Sequence, residues 1–114
     1  MSLYSDSYVK LKNLLLNNNY EFIGIIAYAC FIKEAHRAAG FIKKYSTAQI
    51  IIGGPHASVL PTETLNEFSD FDFAIYGEGE IPFYELLSGK DLSQINNLAW
   101  KNNGQIIKMS VFKV

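Results

Sequence analysis

Three short apolar runs separated by helix-like segments constrain the fold of this 114-residue chain more than any other feature. The runs are 22–28, 49–52 and 71–76, and they are rich in β-branched and aromatic residues. Because their apolar residues are mostly consecutive rather than alternating, each run is typical of a strand covered on both faces. The first of them, 22–28, is interpreted as a central strand of a parallel sheet.

Helical segments are predicted before, between and after these strands. Four alanine and isoleucine positions at helical spacing mark the second helix with particular clarity: Ala35, Ala38, Ala39 and Ile42. The predicted helices span 6–17 with a cap at Ser5 or Asp6, 33–45, 61–68, and a last segment opened by Pro82 and closed by Gly89. Strands that start about every 25 residues with one helix between them are typical of right-handed βαβ crossovers. The fold class is therefore a Rossmann-like three-layer α/β sandwich around a parallel sheet.

The last part of the chain has a different pattern. Segments 98–101 and 105–108 flank Asn103-Gly104, which favours a two-residue type I′ hairpin. In that register Trp100 faces Ile107 and Leu98 faces Met109. The alternative is a C-terminus without fixed structure. We expect one domain over 1–114, with 97–109 as a hairpin extension.

Composition excludes several classes of protein. A formal net charge of −1 with dispersed basic residues gives no footprint for nucleic acid. The apolar runs are far shorter than the roughly 20 residues of a membrane span, and the N-terminus lacks a signal-peptide core. One cysteine, Cys30, cannot form a disulfide framework or a multi-thiolate metal site within the chain. We predict a cytoplasmic protein.

The carboxyl edge of the predicted sheet is the expected ligand site. In open parallel sheets, ligands bind beyond the carboxyl ends of the strands, where the loops separate and helix N-termini face the crevice. Paired glycines there remove the Cβ atoms that would hold a flat ligand away from the backbone, although glycine can also serve only a tight turn. The candidate binding residues lie in three loops and are Ala27, Tyr28, Gly53, Gly54, Pro55, His56, Gly77, Glu78 and Gly79.

Nucleotide binding is poorly supported at this edge. None of the loops matches a Walker sequence or the dinucleotide fingerprint, and Glu78 and Glu80 would repel a phosphate. The two glutamates form an acid/base or metal pair in one interpretation and a helix cap or loop in the other.

Catalytic residues are not evident. His56 could contact a ligand, carry a proton or hold a loop together. His36, on the second helix, is interpreted as solvated. Cys30 follows a buried strand without a nearby base and is interpreted as a small hydrophobic residue. We therefore assign no catalytic residue to this chain.

Several stretches together resemble the N-terminal cobalamin-binding domain of B12-dependent radical S-adenosylmethionine (SAM) proteins. They are 50–58, 61–65, 72–80 and the closing hairpin 98–104, and the likeness extends over roughly 20–108. The resemblance implies that cobalamin is held at the carboxyl edge, with Gly53 and Gly54 beneath its nucleotide tail and Ala27 as the small residue after the preceding strand. It also implies a separate radical SAM domain that holds SAM and a [4Fe-4S] cluster. One branch of the family is the magnesium-protoporphyrin monomethyl ester oxidative cyclases.

The chain departs from the family pattern at several points. Ala27 stands where related domains often have serine, and the Asp-x-His-x-x-Gly motif that supplies an axial histidine is absent. Cobalamin is therefore expected to bind without that ligand. The Cys-x-x-x-Cys-x-x-Cys motif for the cluster is also absent, so no radical chemistry starts in this chain.

The family's module also begins with a strand, a helix and a second strand that have no counterpart here. We expect their absence to leave the sheet incomplete at its N-terminal side, with one strand edge exposed. The sequence is compatible with two functions: a cobalamin-binding module, or a cofactor-free scaffold of the same fold that forms homodimers through the exposed edge.

Overall fold

The computed structural model describes residues 3–27, 31–77, 80–102 and 104–108. In chain order, the elements are α1 (Leu3–Asn17), β1 (Phe22–Ile26), α2 (Ile32–Tyr45), β2 (Gln49–Gly53), α3 (Pro55–Val59), α4 (Pro61–Glu67), β3 (Phe73–Ile75), α5 (Glu80–Leu87), a 3-10 helix (Leu92–Gln94), β4 (Leu98–Asn102) and β5 (Gln105–Lys108). The predicted alternation of helices and strands is confirmed.

The five strands form one mixed sheet in the order β1-β2-β3-β4-β5. The first three are parallel, and β4 and β5 add to β3 in antiparallel orientation. The predicted hairpin is confirmed, including the pairing of Trp100 with Ile107. The predicted pairing of Leu98 with Met109 lies outside the described residues. Because β4 pairs with β3, the hairpin widens the sheet and covers the far side of β3.

Strand β1 lies at the edge of the sheet, so the prediction of a central strand is wrong. Among the described residues, β1 pairs only with β2. The side chain of Ile26 is 76% exposed, and Gly24 is exposed as well. The apolar run looked like a strand covered on both faces, but one face of β1 is open towards its carboxyl end.

Each face of the sheet has its own hydrophobic cluster. On one face, which we call the α2 face, Ile50 and Ile52 pack with Ala39 and Ile42 of α2 and with Leu65 of α4. On the opposite face, the α5 face, Ile51 packs in a cluster with Leu86 of α5 and residues of β3 and β4. This alternation along β2 is the consequence of a strand with helices on both sides, and it confirms the three-layer sandwich.

The helices differ from the prediction at three points. Helix α5 begins at Glu80 rather than at Pro82, because a proline is tolerated within the first turn. Helix α1 begins at Leu3, so Ser5 and Asp6 lie inside it rather than at its cap. Helix α3 was not predicted, because Gly53-Gly54-Pro55 has the composition of a turn. Pro55 takes the first position of that helix, where a fixed φ and a missing N–H cost nothing.

A polar contact fixes the amino ends of β2 and β3. The Oδ2 atom of Asp72 accepts from the backbone N–H of Ile50 at 2.8 Å and from Lys43 Nζ at 2.6 Å. Lys43 also donates to the carbonyl of Ala48 at 3.1 Å. One carboxylate thus joins α2, β2 and the start of β3, which sets how these elements stack below the site.

Candidate functional site: a cavity at the carboxyl edge of the sheet

A cavity of about 450 Å³ lies at the carboxyl ends of the parallel strands, on the α5 face. Its lining is mainly glycine and aliphatic, with one aromatic side chain from α5 and one carboxylate. The described residues that line it are Gly24, Ile25, Ile26, Ile51, Gly53, Gly54, Ile75, Gly77, Glu80 and Phe83. The predicted position of the ligand site thus coincides with a concave, mostly apolar surface of the kind that binds small molecules.

The floor of the cavity comes from the register between β1 and β2. Gly24 is paired with Ile51 and Ile26 with Gly53, so the four residues lie on the same face of the sheet. Phe83 of α5 lies above Gly24, where an added Cβ would approach its ring to 3.1 Å. Beyond Phe83 the floor is uncovered, which leaves Ile26 exposed.

The two glycines at the end of β2 have different roles. A Cβ at Gly53 would meet no other described part of the chain within 4 Å, so the space beside this residue is open on that side. Gly54 has φ +104°, and a Cβ there would lie 2.5 Å from the carbonyl oxygen of Ala27. Gly54 therefore allows the ends of β1 and β2 to approach, while Gly53 leaves bare backbone at the cavity.

A contact between α3 and the third loop closes one side of the site. The backbone N–H of Gly77 donates to Ser58 Oγ at 3.1 Å. Gly77 has φ +77°, a conformation that favours glycine. Helix α5 then begins at Glu80, whose exposed side chain lines the cavity.

The structure brings together only some of the predicted binding residues. Gly53, Gly54 and Gly77 line the cavity. Ala27 is 2% exposed and belongs to the core of the α2 face, although its N–H donates to the carbonyl of Gly53 at 3.0 Å.

Pro55 and His56, which were also predicted, are not among the residues that line the cavity. Pro55 is exposed at the start of α3, and His56 is half-buried, with its carbonyl accepting from the N–H of Leu60. His36, interpreted as solvated, is half-buried, with its ring 4.9 Å from that of Phe68 and its Nε2 3.5 Å from Asp70. The residues that fall outside the described part of the chain are Tyr28, Cys30, Glu78 and Gly79.

Several lining residues were not predicted as binding residues, namely Gly24, Ile26, Ile51, Ile75 and Phe83. A signal for the floor was present in the sequence. Glycine inside a strand often marks close approach of another group, and residues two apart share a face. Combining Gly24 with the parallel register would have placed Ile26 beside Gly53.

The described residues at this edge offer a surface for binding a ligand. Within the described ranges there is no group of three His, Cys, Asp or Glu side chains that could hold a metal ion. Nor does any helix in the same ranges combine the length and apolarity that a membrane crossing requires. The described lining offers an apolar surface with bare backbone and one carboxylate, that of Glu80.

Comparison with known proteins gives a consistent set of similarities. No family model matches the chain. It is 31% identical over 91 residues to an uncharacterised methyltransferase of Pyrococcus horikoshii, a match that covers 75% of this chain and 20% of the relative. The chain therefore spans about one fifth of that protein's length.

Two solved structures share the fold. One is the radical SAM methyltransferase TsrM from Kitasatospora setae, solved with cobalamin and a [4Fe-4S] cluster bound, with a TM-score of 0.78, 17% identity, and coverage of 95% of this chain and 21% of TsrM. The other is the cobalamin-dependent SAM radical enzyme OxsB, solved with aqua-cobalamin bound, with a TM-score of 0.72, 18% identity, and coverage of 92% of this chain and 16% of OxsB. At these identities the similarity establishes the fold.

Proposed function

We propose that this chain is a cobalamin-binding module and that cobalamin lies against the cavity at the carboxyl ends of β1, β2 and β3. The observation that carries the proposal is the open apolar floor at Gly53, where no described residue beyond its chain neighbours lies within 4 Å of an added Cβ. The position of the cavity, the resemblance in sequence and the shared fold with two cobalamin-containing enzymes support it.

The residues present fit a broad macrocycle. Gly53 lets a flat ring approach the backbone, and the exposed Ile26 beside it offers apolar contact. The ring of Phe83 already covers Gly24. A corrin is larger than this cavity, so the ring would extend outward over the exposed Ile26. Since His56 does not line the cavity, we propose binding without an axial histidine from this loop.

Cobalamin, when bound, supplies a cobalt centre that can carry a methyl group. The work assigned to this chain is to hold the ring, through Gly53 and its neighbours, and to leave the opposite face accessible. We propose that it acts with a radical SAM domain outside these 114 residues, which would hold SAM and the [4Fe-4S] cluster. The match to a methyltransferase supports methyl transfer as the reaction class; the cyclase branch stays a prediction.

Titration with hydroxocobalamin tests the proposal. The wild-type chain should shift the visible absorption bands of the cofactor and retain it during gel filtration. Gly53→Phe places a ring in the open space and should weaken binding by about tenfold or more. The matched control is Gln49→Phe, at the exposed amino end of the same strand and on the same face of the sheet. Wild-type chain that neither shifts nor retains the cofactor contradicts the proposal.

A second candidate function is a cofactor-free scaffold that forms homodimers through β1. The observation that favours it is the unpaired edge of β1 among the described residues, next to the exposed Ile26. Unpaired strand edges offer backbone donors and acceptors for pairing with another chain. Sedimentation equilibrium distinguishes the two: a dimer whose formation is unaffected by cobalamin supports the scaffold, and a 12.8 kDa monomer at all concentrations contradicts it.

A further inference from the structure

The cavity has an asymmetric charge. Among the described residues that line it, Glu80 is the one ionisable side chain, and no lysine or arginine is present. The other lining groups are glycine backbone, isoleucine and the ring of Phe83. A charged group on a ligand would therefore meet a carboxylate at the rim of a mostly apolar surface. Glu80 is exposed, so water screens its charge in the free protein, and a ligand that covers it reduces that screening.

The N-terminus of α5 would ordinarily favour the binding of anions at this cavity. A helix N-terminus carries a partial positive charge and free N–H groups, and it commonly binds phosphate or carboxylate. In this structure the first residue of α5 is itself acidic. The carboxylate of Glu80 compensates the positive end of the helix, so the side of the cavity that would attract an anion presents a negative charge.

We infer that Glu80 is a specificity-determining residue that makes this cavity accept flat apolar ligands bearing N–H donors, such as carboxamides, and reject ligands bearing acidic groups. The charge preference itself does not depend on the proposed function, but its application to corrins rests on it. A corrin whose peripheral groups are amides fits the cavity, whereas a tetrapyrrole with free carboxylates meets like charge at Glu80. Porphyrins with free propionates are therefore not ligands of this site.

A pair of fluorescent dyes tests the charge preference without any corrin. N-phenylnaphthylamine is neutral, and anilinonaphthalenesulfonate has the same aromatic skeleton with an added sulfonate. The wild-type chain should bind the neutral dye more tightly. Glu80→Gln should strengthen sulfonate binding by about tenfold and change neutral-dye binding by less than about twofold, and Glu80→Lys should strengthen sulfonate binding further.

Three further variants control the assay. Glu67→Gln removes a carboxylate from an exposed position on α4, outside the cavity lining, and should leave both affinities unchanged. Gly53→Phe should abolish binding of both dyes. Ile26→Glu, at a side chain that is 76% exposed, adds a second carboxylate without disturbing the core and should weaken sulfonate binding.

The inference is overturned if sulfonate affinity is the same in wild type, Glu80→Gln and Glu80→Lys. It is also overturned if dye binding survives Gly53→Phe in a folded variant, because the cavity is then not the apolar site.

The corrin experiment separates this inference from the proposed function. Hydroxocobinamide, with peripheral amides, should bind the wild-type chain at least about tenfold more tightly than cobyrinic acid, in which those amides are carboxylates. Glu80→Gln should reduce the ratio of the two affinities, because cobyrinic acid then no longer meets a negative charge. If the dyes follow the prediction and neither corrin binds, the proposed cofactor is wrong while the charge selection stands. If both corrins bind equally in every variant, the cofactor stands and the role of Glu80 is wrong.

Discussion

At the level of single residues, the neighbours Gly53 and Gly54 differ in how well each position tolerates a side chain. Gly54→Ala would strain a backbone at φ +104° and drive the new Cβ to 2.5 Å from the carbonyl oxygen of Ala27. We expect it to lower the free energy of unfolding by about 2–4 kcal/mol. Gly53→Ala, which meets open space, should change it by less than about 1 kcal/mol. Urea denaturation of both variants checks this, and equal losses would show that the ends of β1 and β2 do not approach as described.

The same pair shows what the sequence could not determine about the site. Both glycines follow the same apolar run and are equally permissive in composition. Their roles differ because the end of β1 lies against Gly54, a tertiary contact that no local pattern encodes. Ala27 was predicted at the cofactor for a similar reason: its place after a strand was evident, but the face towards which its side chain points was not.

Tyr76 carries a buried hydroxyl that has no hydrogen-bond partner among the described residues. Burial raises the pKa of this phenol above its ordinary value of 10.0, because the ionised form loses hydration. Tyr76→Phe removes the unsatisfied group and should raise the free energy of unfolding by about 1 kcal/mol at neutral pH. The ring would remain to pack beneath Lys108, whose Nζ lies 5.1 Å from its centroid.

The alkaline behaviour of the same variant follows from the raised pKa. In the window above 10.0 the unfolded chain releases the Tyr76 proton while the folded chain retains it, so wild-type stability falls as pH rises. Burial lowers the pKa of Lys101 below its ordinary value of 10.5, so the contribution of Lys101 makes the folded protein more stable as pH rises towards that value. Lys101 is present in both proteins, so its contribution cancels when the free energy of unfolding of the wild type is subtracted from that of Tyr76→Phe. This difference should increase above pH 10, and a difference that does not change with pH contradicts the assignment.

At the level of elements, the end of α5 tests how far local sequence determines structure. The N–H of Lys90 donates to the carbonyl of Glu85 at 3.1 Å, and that of Gly89 to Leu86 at 3.2 Å, which is the Schellman pattern. Gly89 has φ +80°. Gly89→Ala should lower the free energy of unfolding by about 1 kcal/mol because a Cβ is disfavoured in that conformation.

Gly40→Ala is the matched control within α2. A Cβ there would lie 3.4 Å from Asp70 Oδ2, an ordinary contact, and alanine favours the helix. It should be neutral or slightly stabilising when the midpoints of thermal denaturation of both variants are compared with that of the wild type. A loss of stability as large as that of Gly89→Ala would show that glycine at position 89 has no special conformational role.

The order and type of most elements could be predicted because each depends on local patterns: buried runs, helical spacing and Asn103-Gly104. The position of β1 could not be predicted from its own residues, because they do not reveal how many neighbours a strand has. The expectation of one exposed strand edge came from the family resemblance instead. Helix α3 could not be predicted either, because glycines followed by a proline are compatible both with a simple turn and with a turn that leads into a short helix. What was missing in both cases was information about surroundings rather than propensity.

At the level of the whole molecule, one sheet carries both hydrophobic clusters. Ile50 and Ile52 belong to one cluster and Ile51 to the other, so β2 contributes to both. Neither cluster can unfold without disturbing this shared strand. We expect a single cooperative unfolding transition. The fluorescence of Trp100, in the α5-face cluster, and far-ultraviolet circular dichroism should report the same midpoint. Two separate midpoints would indicate that the α5 face unfolds independently.

The unpaired side of β1 should also be visible in the exchange of backbone amide hydrogens with solvent. In a parallel pair, successive residues direct their N–H groups alternately towards the neighbouring strand and away from it. The amides of Phe22–Ile26 that are directed to β2 should exchange slowly, and those directed outward should exchange rapidly. Uniform slow exchange along these five residues would report that another strand has joined the sheet at this edge.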